Sequence, residues 1–385
     1  VKTKVAYVTT ARSDYGPSYW LIHDLFADKR FDMTLIVGGS HLSRIHGNTF
    51  REIEAHGWPR IVRVPFLGRR GDIRSMGRNA GRALAGFANV FDELRPDIVM
   101  LYGDRYELLP IASAGVIHRI PIAHICGGDI TEGAFDDQVR HALTKLSHLH
   151  FPSTRTSAAR LRQMGEEEWR IHMTGDPALD HFTRGQPAAA DELAVLFGFV
   201  PGRGTLLVTF HPATLESEKV PEQAHELALA LNTFKGPIVI TAPSPDPGSE
   251  GIRREFLALR QKRPQTVFVE SLGSRRYRGL LSLVGAVVGN SSSGLIEAAS
   301  VPVSVVNIGN RQRGRERGAN VIDVAARRKD ITEGIARALS PHFRQSLARI
   351  KNPYGDGHAA GRIILALVKM PPRPKLLAKR FVPCC

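Results

Sequence analysis

The run Gly289-Asn290-Ser291-Ser292-Ser293-Gly294 collects the residue types that hold a phosphate. Small residues let the backbone approach a ligand, and serine hydroxyls donate hydrogen bonds. A helix starting here would add unpaired N–H groups and the positive end of its dipole. The sequence predicts that helix over Leu295 to Ala299, with Glu297 about one turn in, where a carboxylate can accept ribose hydroxyls. A serine N-cap explains one hydroxyl. It does not explain three serines between glycines. Arg12, in the turn Thr10 to Gly16, is a further candidate anion contact. The loop Arg311-Gln312-Arg313-Gly314-Arg315-Glu316-Arg317 offers forked guanidiniums that suit pyrophosphate, with a solvated basic loop as the plain alternative.

A second set is acidic. Gly103-Asp104-Arg105-Tyr106-Glu107 follows an apolar run, so Asp104 either reaches a ligand or caps the next helix. In Gly127-Gly128-Asp129-Ile130-Thr131-Glu132-Gly133-Ala134-Phe135-Asp136-Asp137, four carboxylates crowd a glycine-loosened loop. Such crowding can raise a carboxyl pKa toward neutrality and divide acid from base roles. The alternative is a polar loop with Asp136 or Asp137 in a first helical turn. His211-Pro212 puts a histidine at another strand end, as a general acid or a phosphate ligand.

These residues need strands and helices to position them. Short apolar runs alternate with amphipathic stretches. Strands are predicted at 5–8, 34–37, 98–101 and 122–125, then at 206–210, 238–241, 267–269, 286–289 and 303–306. Helices are predicted over 18–26, from about Arg105, and over 134–147, where Val139, Ala142, Leu143 and Leu146 share a face. Strands that are apolar on both faces and alternate with helices mean an α/β protein with parallel sheets. A glycine- and proline-rich stretch over 175–205 divides the two series. Two doubly wound domains facing each other leave a central cleft, with ligands beyond the carboxyl ends of the strands.

The chain has 385 residues and a net charge of +15, which favours anionic partners. The arginines are spread rather than blocked, which argues against nucleic acid. Three cysteines, Cys126, Cys384 and Cys385, form no disulfide framework and fit a reducing compartment. The apolar run at 5–8 is too brief for a secretory signal, and no run is long enough to span a membrane. A cytoplasmic protein is expected. No G-x-G-x-x-G follows the first strand and no Walker A occurs, which disfavours NAD and P-loop ATP chemistry. His141, His148 and His150 lack a partner at ligand spacing, so no metal is expected.

Together these runs, with A-R-S-D-Y-G at 11–16, G-G-S-H-L-S at 38–43, R-H-A-L-T-K-L-S-H-L-H-F at 140–151, S-L-G-S-R-R-Y at 271–277 and N-P-Y-G-D-G at 352–357, resemble the hydrolysing UDP-N-acetylglucosamine 2-epimerases. The resemblance runs from about residue 4 to 365. It implies a GT-B-like architecture: two Rossmann-like domains and a last helix crossing back to the first. It implies no cofactor, and release of UDP with the free 2-epimerised sugar for sialic-acid-type synthesis. The two substrate branches are UDP-N-acetylglucosamine and the UDP-N,N'-diacetylbacillosamine of legionaminic acid synthesis.

On this basis residues 1–180 form the sugar domain, 190–350 the UDP domain, 351–368 the crossing helix and 369–385 a loosely ordered basic tail, with weak membrane or partner contact as the alternative. The resemblance puts Ser291, Ser292 and Ser293, flanked by Asn290 and Gly294, on the phosphates, and Glu297 on the ribose. Arg12, Arg105, His211, Arg311 and Arg315 surround the UDP, while Asp104 and Asp136, with Asp129 beside them, carry the catalysis. A homo-oligomer, dimer or tetramer, follows by analogy. Cys126 stands where the sialic acid branch has a glutamate, as a small buried filler or a catalytic thiol. Asp129 replaces the commoner glutamate after Gly-Gly, and T-E-G at 131–133 looks more like the bacillosamine branch. Competing readings are a GT-B glycosyltransferase, a non-hydrolysing epimerase and a non-catalytic binding protein.

Overall fold

The computed structural model describes residues 2–44, 48–68, 73–244 and 248–383. Two compact units emerge. Unit 1 comprises Val1–Asp129, Asp136–Thr183 and Tyr354–Cys385, and unit 2 comprises Ile130–Phe135 and Arg184–Pro353.

Unit 1 is built on a parallel sheet of β1 (Thr3–Thr9), β2 (Phe31–Gly38), β3 (Ile61–Val64), β4 (Ile98–Tyr102), β5 (Ile122–Ile125) and β6 (Leu149–Phe151), in the order β3-β2-β1-β4-β5-β6. Unit 2 has a second parallel sheet of β7 (Leu206–Thr209), β8 (Ile238–Thr241), β9 (Thr266–Val269), β10 (Ala286–Gly289), β11 (Ser304–Ile308) and β12 (Val321–Val324), in the order β12-β11-β10-β7-β8-β9. Counted from its own first strand, each sheet runs 3-2-1-4-5-6, the doubly wound order of a Rossmann fold. The GT-B-like class expected from the sequence is the one observed.

The central strands are buried on both faces, so their sequences read as continuous apolar runs. The sequence reading lacked β3, β6 and β12, which all lie at sheet edges. Only the last residue of β3 is buried, β12 carries the exposed Asp323, and β6 has three residues. The edge strands β3 and β12 face solvent and need no apolar run, while β6 is buried but too short to show one.

The first helix, Arg12–Ala27, begins six residues before the predicted 18–26. Asp14 explains the early start, because its carboxylate accepts Thr10 N and Ala11 N, both at 3.1 Å, and closes the first turn. In unit 1 the late helix Ala359–Val368 packs Ile363, Ile364 and Leu367 into the same core as Val5, Tyr7 and Leu35. Both oxygens of the buried Asp180 accept from its first N–H groups, Ala359 N and Ala360 N, at 2.8 Å each.

The tail departs from the expectation of loose order. Arg373–Leu377 is helical, and Leu376 is 1% exposed in the core of unit 1. Burying that side chain stabilises the tail by roughly 2 kcal/mol. Cys384 and Cys385 lie outside the described residues. Among the described residues no helix is long and apolar enough to cross a membrane.

Candidate active site

In unit 1 the strand order reverses between β1 and β4, and ligands of such sheets bind at that switch. After β1, Asp14 also binds the hydroxyls of Thr9 and Thr10, and Thr9 Oγ1 meets His41 Nε2 at 2.9 Å. This buried set fixes the turn and leaves Arg12 exposed at the first helical position. After β4, Gly103 turns the chain at φ +83° and presents Asp104.

Asp104 forms an ion pair with the guanidinium of Arg140, whose side chain is only 1% exposed. Arg140 Nη1 also donates to Asp129 O at 2.9 Å and Asp137 Oδ1 at 3.1 Å. One buried cation therefore joins the loop after β4, the loop after β5 and the first turn of the helix Asp136–Leu146. Asp136 opens that helix, one turn before Arg140. A buried guanidinium is tolerated only with such partners, and removing one is costly.

Asp129 is buried, and its carboxylate accepts from Ser157 Oγ at 2.5 Å. Arg105 does not stand alone either, since it donates to the buried Glu107 at 3.0 Å. His124 Nε2 donates to Gly103 O at 2.7 Å. Burial lowers the His124 pKa to about 4, so the ring is neutral near pH 7.

Below this loop lies a buried polar set. Cys126 has φ +63°, a left-handed conformation rare for a residue with a side chain. Its Sγ donates to Asp176 Oδ2 at 3.5 Å and accepts from Ser153 Oγ at 3.2 Å. Asp176 Oδ1 accepts from Tyr102 OH at 3.1 Å and Ala178 N at 3.0 Å. Burial, reinforced by the charge of Asp176, pushes the Cys126 thiol well up. The residue is thus a protonated donor within the floor and no ready nucleophile.

Unit 2 reverses its order between β7 and β10. Gly289 ends β10 at φ +138°, and a Cβ there would lie 1.9 Å from Thr209 O. The next residue, Asn290, bridges the ends of both strands. Its Oδ1 accepts His211 N at 2.7 Å, and its Nδ2 donates to His211 O at 2.9 Å. His211 Nδ1 accepts Ser244 N at 2.8 Å, so a neutral ring carries its proton on Nε2 as a donor.

The helix after Asn290 differs from the predicted one. It spans Ser292–Ile296 and passes into a 3₁₀ turn, Ala298–Ser300. Five residues carry little dipole, so what this turn offers an anion is hydroxyl and N–H groups. Ser291 starts the turn, and Ser293 Oγ is bonded to Tyr277 OH. Gly294 packs toward β11, where an added Cβ would be 3.1 Å from Val305. Burial, and then the charge of Glu297, pushes the Tyr277 phenol up.

The arginine loop is anchored to the same point. Arg311 Nη1 and Gln312 Nε2 donate to Asn290 O at 3.0 and 2.9 Å. It also holds the segment Ile130–Phe135, which the sequence reading placed in the first domain and which groups with unit 2. Glu132 N donates to Arg313 O at 3.1 Å, Arg313 pairs with Glu132 at 2.9 Å, and Arg315 Nε meets Thr131 Oγ1 at 3.3 Å. The acidic loop is therefore divided. Asp129 and Asp136 stay with unit 1, and Glu132 packs on the arginines of unit 2.

The family model described as UDP-N-acetylglucosamine 2-epimerase matches residues 23–368. The chain belongs to this family. It is 35% identical to a UDP-N,N'-diacetylbacillosamine 2-epimerase (hydrolyzing) of Legionella pneumophila over 98% of each chain. It is 32% identical to a GDP/UDP-N,N'-diacetylbacillosamine 2-epimerase (hydrolyzing) of Campylobacter jejuni over 99% of each. The fold matches that of the UDP-GlcNAc 2-epimerase of Neisseria meningitidis bound to UDP-GlcNAc, with a TM-score of 0.79 at 18% identity, over 96% of this chain and 100% of that one.

In this 2-epimerase family member the structure brings Asp104, Asp137 and the carbonyl of Asp129 onto Arg140, with Asp136 one turn earlier on the same helix, and His211, Asn290 and Arg311 around the end of β10. The sequence reading missed Arg140 as a functional residue. Its signal was present, since Arg140 follows Asp136 and Asp137 at i+4 and i+3 on one helix. Asp176 lies 50 residues from Cys126 and had no local signal. Among the described residues, no three His, Cys, Asp or Glu side chains gather as a metal site would need.

Proposed function

We propose that the chain is a hydrolysing 2-epimerase of a UDP-linked N-acetyl amino sugar. The observation that carries this reading is the ion pair of Asp104 with the buried Arg140, one turn into the helix that Asp136 opens. The C2 hydrogen of such a sugar is not acidic, so its removal must accompany loss of the leaving group. A carboxylate base takes H2 as the C1–O bond breaks and its electrons leave with UDP, giving a C1=C2 double bond. Water then adds its hydroxyl to C1, and a proton returns to C2 on the opposite face.

Asp104 and Asp136 are the proton-transfer pair in this scheme. Asp129, turned inward to Ser157, holds their loop. Unit 2 is the UDP-binding unit, with Ser291, Ser292 and Ser293 on the phosphates and Glu297 on the ribose. Arg12, Arg311, Arg315 and the Nε2–H of His211 stabilise charge on the leaving UDP. The enzyme acts in the cytoplasm as a homo-oligomer without a cofactor.

A second, finer reading concerns the sugar. The two relatives named for the diacetamido sugar match nearly the whole chain, which favours UDP-N,N'-diacetylbacillosamine, and legionaminic acid synthesis as its context. The protein is incubated with each sugar nucleotide and followed by proton and phosphorus NMR. Free UDP with a free 2-epimerised sugar is the expected result, faster from the diacetamido substrate. A product still bonded to UDP would overturn hydrolysis, and donor consumption only with an added acceptor would favour a glycosyltransferase.

A further inference from the structure

The tail of unit 1 reaches the far ends of the two helices whose near ends lead out of the acidic loops. Lys379 Nζ donates to Thr144 O and Lys145 O at 3.0 Å each and to Ser147 O at 2.6 Å. These carbonyls close the helix Asp136–Leu146, where the last acceptors of a helix otherwise lack partners. A cation at this end also complements the helix dipole. Arg373 donates to Arg119 O at 2.7 and 3.2 Å, beyond the end of the helix Leu108–Ile117 that follows Asp104.

The tail is itself anchored. The buried Arg170 donates to Leu376 O at 2.8 Å, and Val382 N donates to Gly165 O at 2.9 Å. Phe381 covers Gly165 so closely that a Cβ there would collide with its ring. Lys379 also meets Glu166 Oε2 at 2.8 Å, and Glu166 is bonded to His150 Nε2 at 2.8 Å and Lys145 Nζ at 2.7 Å.

We propose that residues 373–383 are a positioning strap, in which Lys379 and Arg373 hold the far ends of two helices so that Asp104, Asp136 and Arg140 keep their register. The strap rests on the 2-epimerase reading for its effect on turnover, though not for its effect on the helix. The helix Asp136–Leu146 acts as a lever of roughly 16 Å at 1.5 Å per residue. Lys379 touches main-chain carbonyls at its end and the buried Glu166, and Arg373 touches a carbonyl beyond its neighbour's end, so they are positioning residues and not catalytic ones.

The test uses the full chain with Lys379→Met, and separately with Arg373→Gln at an exposed position that places folding at no risk. Deuterium exchange of peptides 136–146 and 108–120 and steady-state UDP release are measured on both. Lys379→Met is expected to speed exchange in 136–146 about tenfold while peptides of unit 2 stay unchanged. It should lower kcat about tenfold, with KM and inhibition by UDP within about twofold. Arg373→Gln should speed exchange in 108–120 about threefold, leave 136–146 near wild type, and lower kcat about threefold at unchanged KM.

Wild-type kcat and exchange in both variants would overturn the strap. So would exchange that rises evenly across unit 1 with KM and kcat changing together, the mark of a merely stabilising tail. If the wild-type chain releases no UDP from either sugar nucleotide, the functional reading fails, and exchange in 136–146 still decides the strap.

Discussion

The two units share one strand order and both gather their candidate residues where it reverses, yet they do so with different materials. At the switch of unit 1 the links are charged, with Asp104, Asp137 and a buried Arg140 in one cluster. At the switch of unit 2 they are an amide and the main chain, with Asn290 bonded to both backbone groups of His211 and its own carbonyl shared by Arg311 and Gln312. The first arrangement keeps carboxylates available for proton transfer at the cost of burying charge. The bonds of Asn290 in the second involve no group that titrates near neutrality. In the proposed scheme proton transfer draws on the former, and holding the pyrophosphate of a sugar nucleotide, a diester whose charge is constant near neutrality, suits the latter.

The strongest way to break this contrast is Asp104→Asn. Turnover should fall by about a thousandfold or more, with UDP affinity by calorimetry within about twofold. Parallel losses in both would mean that the division of labour is wrong.

A pH titration sharpens it next. His124 and His148 of unit 1 are held neutral, with pKa values lowered to about 4, chiefly by burial. The unfolded chain binds these protons near pH 6.5, so stability is intact above that and is lost as pH falls toward about 4. The shift is worth about 3 kcal/mol for each histidine. Urea unfolding at pH 7.5 and 4.5, with deuterium exchange by peptide, should show unit 1 loosening first. Earlier opening of unit 2 would contradict the contrast.

The smallest effect is expected from Asn290→Ala, which removes two hydrogen bonds to His211. UDP affinity should weaken roughly tenfold, the equivalent of one or two hydrogen bonds, with kcat at saturating substrate little changed. A fall confined to kcat would move Asn290 to the chemistry.

The sequence by itself determined the class, the two series of strands and the loops that hold the candidate residues. Buried central strands such as β1, β4, β7 and β10 must be apolar on both faces, and strand-end loops rich in glycine and polar residues stand out beside them. Periodicity reports local burial, so the edge strands β3 and β12 escaped it, and so did the early start of the first helix, which turns on the carboxylate of Asp14.

Only the tertiary structure decided the pairings. Asp104 finds Arg140 across 36 residues, and Lys379 finds the end of the same helix across more than 230. The carboxylate loop, continuous in sequence, parts because Glu132 and Gly133 pack on Arg311 and Arg313. A tail that reads as solvated, basic and proline-rich becomes ordered because Leu376, Arg373 and Lys379 meet a core and two helix ends that no local pattern in the tail reports. Hydrogen bonds and ion pairs depend on distance in space, and that distance exists only once both sheets are formed.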